Sequence, residues 1–182
     1  MNKFFTLILI IVFCFSCKTP EARKPISVKT GSFIDESVER NKKLNAKEQA
    51  QIQEIMSANN SNDYIASENG FWYYYNLQST EETLETPSFG DIVNYSYNLK
   101  DLNGNLIYPK DYFNNLEYAM DKQELFTGLR EGLKLMKPGE TVTFLFPSQK
   151  AYGYYGDEGK IGTNVPLIAE VTVNSITKTQ DN

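Results

Sequence analysis

The side chains that could perform chemistry in this chain are mainly tyrosines and carboxylates. Histidine is absent from all 182 residues, and the two cysteines, Cys14 and Cys17, both lie near the start. The chain therefore cannot build a Cys/His zinc site, a Cys–His dyad or a Ser–His–Asp triad. Acid–base chemistry by Asp, Glu or Tyr, carboxylate metal sites and catalysis without a covalent step remain open. We expect neither a cofactor nor a bound metal.

Four motifs, two of which contain a tyrosine, occur in order along the second half of the chain. They are Val93–Ser96, Leu125–Glu140, Phe146–Gly153 and Ile161–Val171. They resemble, in turn, the patterns V-x-Y-T, V-I-x-G-W-x-E-G-x-x-x-M-x-x-G, I-P-x-x-x-A-Y-G and I-P-P-N-A-x-L-V-F-E-V of FKBP-type peptidyl-prolyl cis–trans isomerases. Each match alone is weak, but four in register across residues 70–176 make the resemblance specific.

The resemblance implies a pocket that receives the proline ring of a polypeptide. Leu129 stands at the position of the tryptophan on the pocket floor, the backbone N–H of Phe126 would hold a substrate carbonyl, and Tyr152 would donate its hydroxyl to another. The catalytic residues carried over from the family are Tyr95, Leu125, Phe126, Leu129 and Tyr152. The substrate-binding positions are Tyr97, Ile107, Tyr118, Ile161 and Ala169.

The chain departs from the family pattern at several pocket positions. Residues 107–109 read Ile-Tyr-Pro where the family has F-D-S, so the pocket aspartate is missing there. Leu129 replaces a tryptophan and Ala169 replaces a phenylalanine. The first hairpin is longer than usual, which leaves Tyr97 as a rival to Tyr95. These departures predict a roomier, less aromatic pocket and weaker activity on short peptides.

Local sequence patterns predict the elements that position these residues. Alternation from Ile92 to Leu99 indicates a strand, and Asn103-Gly104 is a strong hairpin signal. Phe126–Met136 has helical spacing and ends at a Lys-Pro-Gly stop. Thr141–Phe146 and Leu167–Ile176 are typical of strands. The predicted fold class is α+β: about four to six antiparallel strands in an FKBP-like, strongly bent sheet wrapped around one short helix, with an N-terminal helical extension.

The helical extension is predicted from Asn45 as the capping residue and Glu48 as the acid of a capping box. Its apolar stripe runs from Ala46 to Met56 and should lie outside the core of the sheet. It could pack on its own domain, or it could serve as a dimerisation or partner-binding helix. A dense aromatic strand, Phe71–Tyr75, follows Asn69-Gly70.

The first seventeen residues have the pattern of a signal peptide. Lys3 provides a positive start, and a twelve-residue apolar stretch, Phe4–Phe15, is too short to span a bilayer. The following Ser16-Cys17 resembles a bacterial lipoprotein signal, with cleavage before Cys17 and a lipid on it; the alternative is an ordinary signal peptide with an incidental cysteine. We expect a signal peptide at 1–17, a tether and helix at 18–69, and an isomerase domain at 70–178.

The order of these segments resembles the gliding-motility-associated isomerase lipoproteins of Bacteroidetes-type bacteria. That resemblance implies a lipoprotein attached to a membrane of the cell envelope, on the periplasmic or outer-membrane face. It also implies proline-containing polypeptide clients among envelope or secreted proteins.

Two other functions remain open from the sequence. One is a non-catalytic FKBP-fold chaperone or docking module, and the other is a structural envelope lipoprotein. The net charge of −5 argues against nucleic-acid binding, which needs a basic face. The sequence leaves the client, the membrane leaflet and the oligomeric state open.

Overall fold

Seven strands form one antiparallel sheet in the computed structural model, which describes residues 30–179. The strands are β1 Ile65–Ala66, β2 Trp72–Leu77, β3 Ile92–Asp101, β4 Leu106–Tyr108, β5 Leu116–Ala119, β6 Thr141–Phe146 and β7 Leu167–Thr177. Their order is β1-β2-β6-β7-β3-β4, and β5 also pairs with β3. The prediction of an antiparallel sheet is confirmed. The count of seven exceeds the predicted four to six because β1 and β4, with two and three residues, are too short to leave a periodic signal.

The longest pairing in the sheet joins β3 to β7. It runs from Ile92 opposite Thr177 to Asp101 opposite Leu167. The residues of β3 predicted to share a face, Val93, Tyr95, Tyr97 and Leu99, are all buried. Register shifts in the β2–β6, β3–β4 and β3–β7 pairings mark bulges, which increase twist and bend the strands. The sheet thereby curves around its buried face.

The short helix predicted in the second half of the chain is present as α2, Thr127–Leu133. Leu129 and Leu133, one turn apart, are both fully buried in the core. Gly128 allows α2 to pack closely against Phe146 and Lys150. A Cβ built at Gly128 would lie 2.5 Å from the Phe146 ring and 2.7 Å from the Lys150 carbonyl. The chain leaves the helix through Gly139, whose φ of +83° favours glycine.

The N-terminal helix is longer than the sequence predicts. It forms α1, Thr30–Ala58, so the predicted start at Asn45 is wrong. No proline or glycine interrupts residues 32–58, and the Glu, Lys and Arg residues of this segment favour a helix without requiring an apolar stripe. Glu48 is not a capping residue either: it lies in mid-helix and is buried. As predicted, α1 contributes no residue to the main hydrophobic cluster.

The chain divides into two compact units, Met1–Val38 and Glu39–Asn182. In the described part of the first unit, Phe33, Ile34 and Val38 are exposed. The second unit holds the sheet, α2 and the rest of α1. No helix within residues 30–179 is both long and apolar enough to span a membrane. The predicted signal peptide, the lipidation site Cys17 and most of the tether lie outside the described residues, and the predicted domain boundaries remain predictions.

Candidate active site

An open groove of about 570 Å³ lies beside the start of α2. Three of the predicted catalytic residues line it, and three polar residues complete the wall. The lining residues are Leu125, Phe126 and Tyr152, together with Gln123, Glu124 and Arg130. The groove is therefore not wholly apolar.

Tyr152 is held in the groove by a short, tightly bonded loop. The chain leaves β6 through a 3-10 helix, Ser148–Lys150. The Ser148 carbonyl accepts the N–H groups of Ala151 at 3.0 Å and Gly153 at 2.9 Å, on either side of Tyr152. Gly153 has a φ of +59°, which lets the chain turn directly after the tyrosine. The Gly153 carbonyl also accepts the N–H of Asn164 at 2.8 Å, so backbone hydrogen bonds hold the chain on both sides of Tyr152.

Phe126 stands immediately before α2 in an extended conformation. Its ring packs 5.0 Å from the ring of Tyr152 and edge-on against Phe146 at 5.6 Å. Its carbonyl accepts the N–H of Arg130 at 3.1 Å. Its own N–H makes no hydrogen bond to any residue between 30 and 179. A backbone donor without a protein acceptor therefore stands at the edge of the groove.

Two predicted catalytic residues, Tyr95 and Leu129, do not line the groove. Leu129 is 0% exposed, and Tyr95 is buried on β3. Tyr95 nevertheless lies close to Tyr152: burial raises its pKa far above the ordinary value, and charges on Tyr118 and Tyr152 raise it further. Both residues belong to the packed core that supports the groove.

Tyr97 is part of a continuous aromatic stack in that core. Its ring lies 5.7 Å from Tyr95 and 4.3 Å from Phe113, nearly parallel to both. Its hydroxyl interacts with that of Tyr152, and burial together with this contact raises the pKa of Tyr97 strongly. Tyr97 is therefore as closely associated with Tyr152 as Tyr95 is. Either tyrosine is in a position to support Tyr152.

The remaining predicted substrate-binding residues also belong to the core rather than to the groove wall. Tyr118, on β5, donates its hydroxyl to the Gln123 carbonyl at 3.2 Å, which ties the core to one edge of the groove. Ile161 and Ala169 are buried, and Ile107 is half-buried against the same cluster.

The sequence and the fold of this chain are similar to those of known proteins. A sequence model of the family described as FKBP-type peptidyl-prolyl cis-trans isomerase matches residues 84–174. The chain belongs to this family. The matched range contains Tyr95, Phe126, Leu129 and Tyr152, and it excludes α1 and β2.

Two curated peptidyl-prolyl cis-trans isomerases are similar to this chain over about half of its length. The chain is 31% identical over 94 residues to the peptidyl-prolyl cis-trans isomerase Mip of Coxiella burnetii, covering 52% of this chain and 40% of the relative. It is 30% identical over 90 residues to the probable FKBP-type isomerase FkpA of Neisseria meningitidis serogroup B, covering 50% of this chain and 33% of the relative. The matches thus span less than half the length of either relative.

Solved structures share the FKBP-type fold. FkpA from Escherichia coli superposes with a TM-score of 0.59 at 21% identity, covering 99% of this chain and 84% of that one. The peptidyl-prolyl cis-trans isomerase of Pseudomonas syringae pv. tomato gives a TM-score of 0.59 at 17% identity, covering 75% and 96%. The predicted FKBP-like fold is confirmed.

Sequence reasoning missed one carboxylate in the loop that follows Tyr152, Asp157. It follows Tyr152 by five positions and accepts the hydroxyl of Tyr108 at 2.6 Å. Tyr108 stands where the resemblance to the family implies an aspartate. Asp157 contacts this tyrosine from a different loop. The only local signal is Asp157-Glu158-Gly159, a turn-like sequence in which the Gly159 N–H bonds the Asp157 carboxylate at 2.9 Å.

The ionisation of Asp157 makes the stability of the folded protein depend on pH. Burial would raise the pKa of Asp157, but the Tyr108 hydroxyl and the N–H groups of Ile161 and Gly159 outweigh it and hold the pKa below the usual value. A carboxyl whose pKa is lowered by folding stabilises the native state above the unfolded pKa of about 3.9. That contribution is lost as the pH falls through the folded-state pKa.

We expect Asp157→Asn to lower the free energy of unfolding at neutral pH by about 1–2 kcal/mol, since it weakens charge-assisted hydrogen bonds on a partly exposed loop. The difference from the wild type should shrink as the pH falls below about 4. Urea unfolding across this range measures it, with the exposed Asp111→Asn as the matched control. A difference that stays constant down to the lowest pH would contradict the assigned role of the charge.

Proposed function

We propose that this chain catalyses cis–trans isomerisation of X–Pro bonds in polypeptides at the groove beside α2. The observation that carries the proposal is that the unbonded N–H of Phe126 and the side chain of Tyr152 belong to the same groove, above an aromatic core. Membership of the FKBP-type family supports the reaction class.

The reaction needs no nucleophile or metal. Rotation about a peptide bond is opposed by a resonance barrier of about 18–20 kcal/mol. The twisted amide loses resonance and charge separation, so a water-poor surface favours it over the planar ground state. Catalysis by shape, apolar contact and a few hydrogen bonds suits a chain without histidine.

Each groove residue has a role in this proposal. The proline ring would rest against Leu125 and Phe126, whose side chains are partly exposed. The Phe126 N–H would bind one substrate carbonyl and the Tyr152 hydroxyl another. Both donors can hold the flanking carbonyls while the bond between them rotates. Leu129 and Tyr95, which are buried, would support this surface from below.

The groove also favours a second candidate function. Gln123, Glu124 and Arg130 form a polar part of its wall, and Arg130 is paired with Glu131 at 3.2 Å. A polar wall suits binding of a polypeptide without catalysis, as in a chaperone or docking module. A peptide isomerisation assay separates the two, because a docking module would suppress client aggregation without accelerating X–Pro exchange.

Tyr152→Phe tests the proposed site. Removing one hydrogen bond to substrate costs about 0.5–1.5 kcal/mol, which predicts a rate lower by a few-fold to about tenfold. The measurement is kcat/KM on a proline reporter peptide, with thermal unfolding checked in parallel. Tyr155→Phe is the matched control, since Tyr155 lies in the same loop and is 88% exposed. Equal rates for wild type and Tyr152→Phe would refute the role of the hydroxyl.

We further propose that the protein is a lipoprotein of the cell envelope that assists folding of envelope or secreted proteins, including gliding-motility machinery. Support comes from the apolar stretch before Ser16-Cys17 and from a segment order that resembles that of gliding-motility-associated isomerase lipoproteins. A lipid would hold the protein at a membrane surface without a spanning helix.

Cys17→Ser tests this location. The variant is expected to leave the membrane fraction or to remain uncleaved, because the lipid acceptor is gone. Fractionation and mass spectrometry of the mature N-terminus make the measurement, with Cys14→Ser as the matched control that keeps the acceptor. A mature N-terminus downstream of Cys17 would exclude the lipoprotein.

A further inference from the structure

A buried carboxylate joins α1 to the loop that follows β6. Glu48 is only 2% exposed. Its Oε2 accepts the backbone N–H of Ser148 at 2.8 Å, and its Oε1 accepts the Ser148 hydroxyl at 2.7 Å. One turn earlier, Asn45 donates to the Gln149 side chain at 3.5 Å, and one turn later Ile52 is fully buried. One face of α1 therefore docks at the start of this loop.

Ser148 connects that contact to Tyr152. Its N–H and hydroxyl are bound by Glu48, while its carbonyl accepts the N–H groups of Ala151 and Gly153. All three polar groups of Ser148 are thus engaged, one pair with α1 and the third with the backbone around Tyr152. Ser148 therefore links Glu48 to the backbone on either side of Tyr152 through hydrogen bonds.

Burying a carboxylate at a helix contact carries a desolvation penalty that an apolar side chain would avoid. An unpaired buried charge is strongly unfavourable, whereas an apolar side chain such as that of Ile52 docks without this cost. None of the ion pairs among residues 33–179 involves Glu48, so its carboxylate oxygens are satisfied by two hydrogen bonds from Ser148 and not by a cation. Two bonds to one residue fix orientation as well as position, which an apolar contact does not.

We propose that Glu48 is a positioning residue for the groove: through Ser148 it orients the backbone that carries Tyr152, so that α1, outside the matched family segment, is part of the working site. The inference rests on the proposed isomerase function for its catalytic consequence. Its structural part, that Glu48 orders the Tyr152 loop, stands independently of catalysis.

Hydrogen exchange in the full chain tests the structural part. Glu48→Gln keeps one acceptor oxygen but presents an amide N–H group to a donor. We expect amide exchange at Ala151 and Gly153 to accelerate about tenfold, while amides of β3 and β7 are unchanged. Ser148→Ala, which removes only the hydroxyl, should give a smaller change at the same amides. Glu54→Gln, on an exposed part of α1, is the matched control and should leave exchange at Ala151 and Gly153 unchanged. Unchanged exchange at Ala151 and Gly153, or an equal increase in β3 and β7, would overturn the proposal.

Kinetics on a proline reporter peptide test the catalytic consequence. Glu48→Gln should lower kcat/KM about three- to tenfold, and it should have no further effect in a Tyr152→Phe background, because both changes act through the same hydroxyl. Multiplicative losses would show that Glu48 does not act through Tyr152. A wild-type protein without isomerase activity would refute the proposed function, and the exchange experiment would still decide whether Glu48 orders the loop.

Discussion

Leu129→Asp is expected to destabilise the fold severely at neutral pH. Leu129 is fully buried between α2 and the sheet, in the same cluster as Leu133 and Phe144. None of the ion pairs within the described residues involves a residue of this cluster, so a carboxylate placed there would have no partner. An uncompensated buried charge costs at least about 3–5 kcal/mol, a large part of the 5–15 kcal/mol that stabilises an ordinary domain.

Circular dichroism and chemical unfolding measure this effect. Leu129→Met is the matched control, because a swap of similar volume costs less than about 1.5 kcal/mol and leaves the core apolar. The control should fold and keep most of its activity. A Leu129→Asp protein that unfolds cooperatively at nearly the wild-type denaturant concentration would mean that position 129 is open to water, as the floor of a roomy pocket would be.

Tyr97→Ala is expected to lower the free energy of unfolding by about 3–5 kcal/mol, the range for removing a buried aromatic ring. The ring sits between Tyr95 and Phe113 in nearly parallel stacking, so its removal leaves a cavity with aromatic surfaces on both sides. Isomerase activity should fall as well, since the Tyr152 hydroxyl loses its neighbour.

Tyr97→Phe separates packing from hydrogen bonding. It keeps the stack and removes only the hydroxyl, so we expect a loss of stability of about 0.5–1.5 kcal/mol. Comparing kcat/KM for Tyr97→Phe and Tyr95→Phe, with urea unfolding of each, then decides which of the rival tyrosines supports Tyr152. Tyr97→Ala with wild-type stability would contradict the packing described for the stack.

The sequence predicted the parts of the fold that local patterns encode. The alternation of Val93, Tyr95, Tyr97 and Leu99 gave the buried face of β3 correctly, because a strand repeats every two residues. The spacing of Leu129 and Leu133 indicated α2 for the corresponding reason in helices. The motif order was sufficient for the family, and the family match confirms it.

Other features lacked a local signal. The capping-box pattern placed the start of α1 at Asn45, whereas the helix begins at Thr30. Glu48 followed the pattern of a capping acid, yet its partner is Ser148, 100 positions away. Asp157 was missed because its bond to Tyr108 joins a loop to a strand 49 positions earlier.

The sequence by itself determined the element types, the family and the exclusion of histidine-based chemistry, since these depend on composition and on neighbours within a few positions. Only the tertiary structure decided which predicted site residues meet at a surface: Leu125, Phe126 and Tyr152 line the groove, whereas Leu129 and Tyr95 lie beneath it. The physical reason is that burial depends on how the sheet bends over α2. Long-range contacts such as that of Glu48 with Ser148 join residues that no local pattern relates.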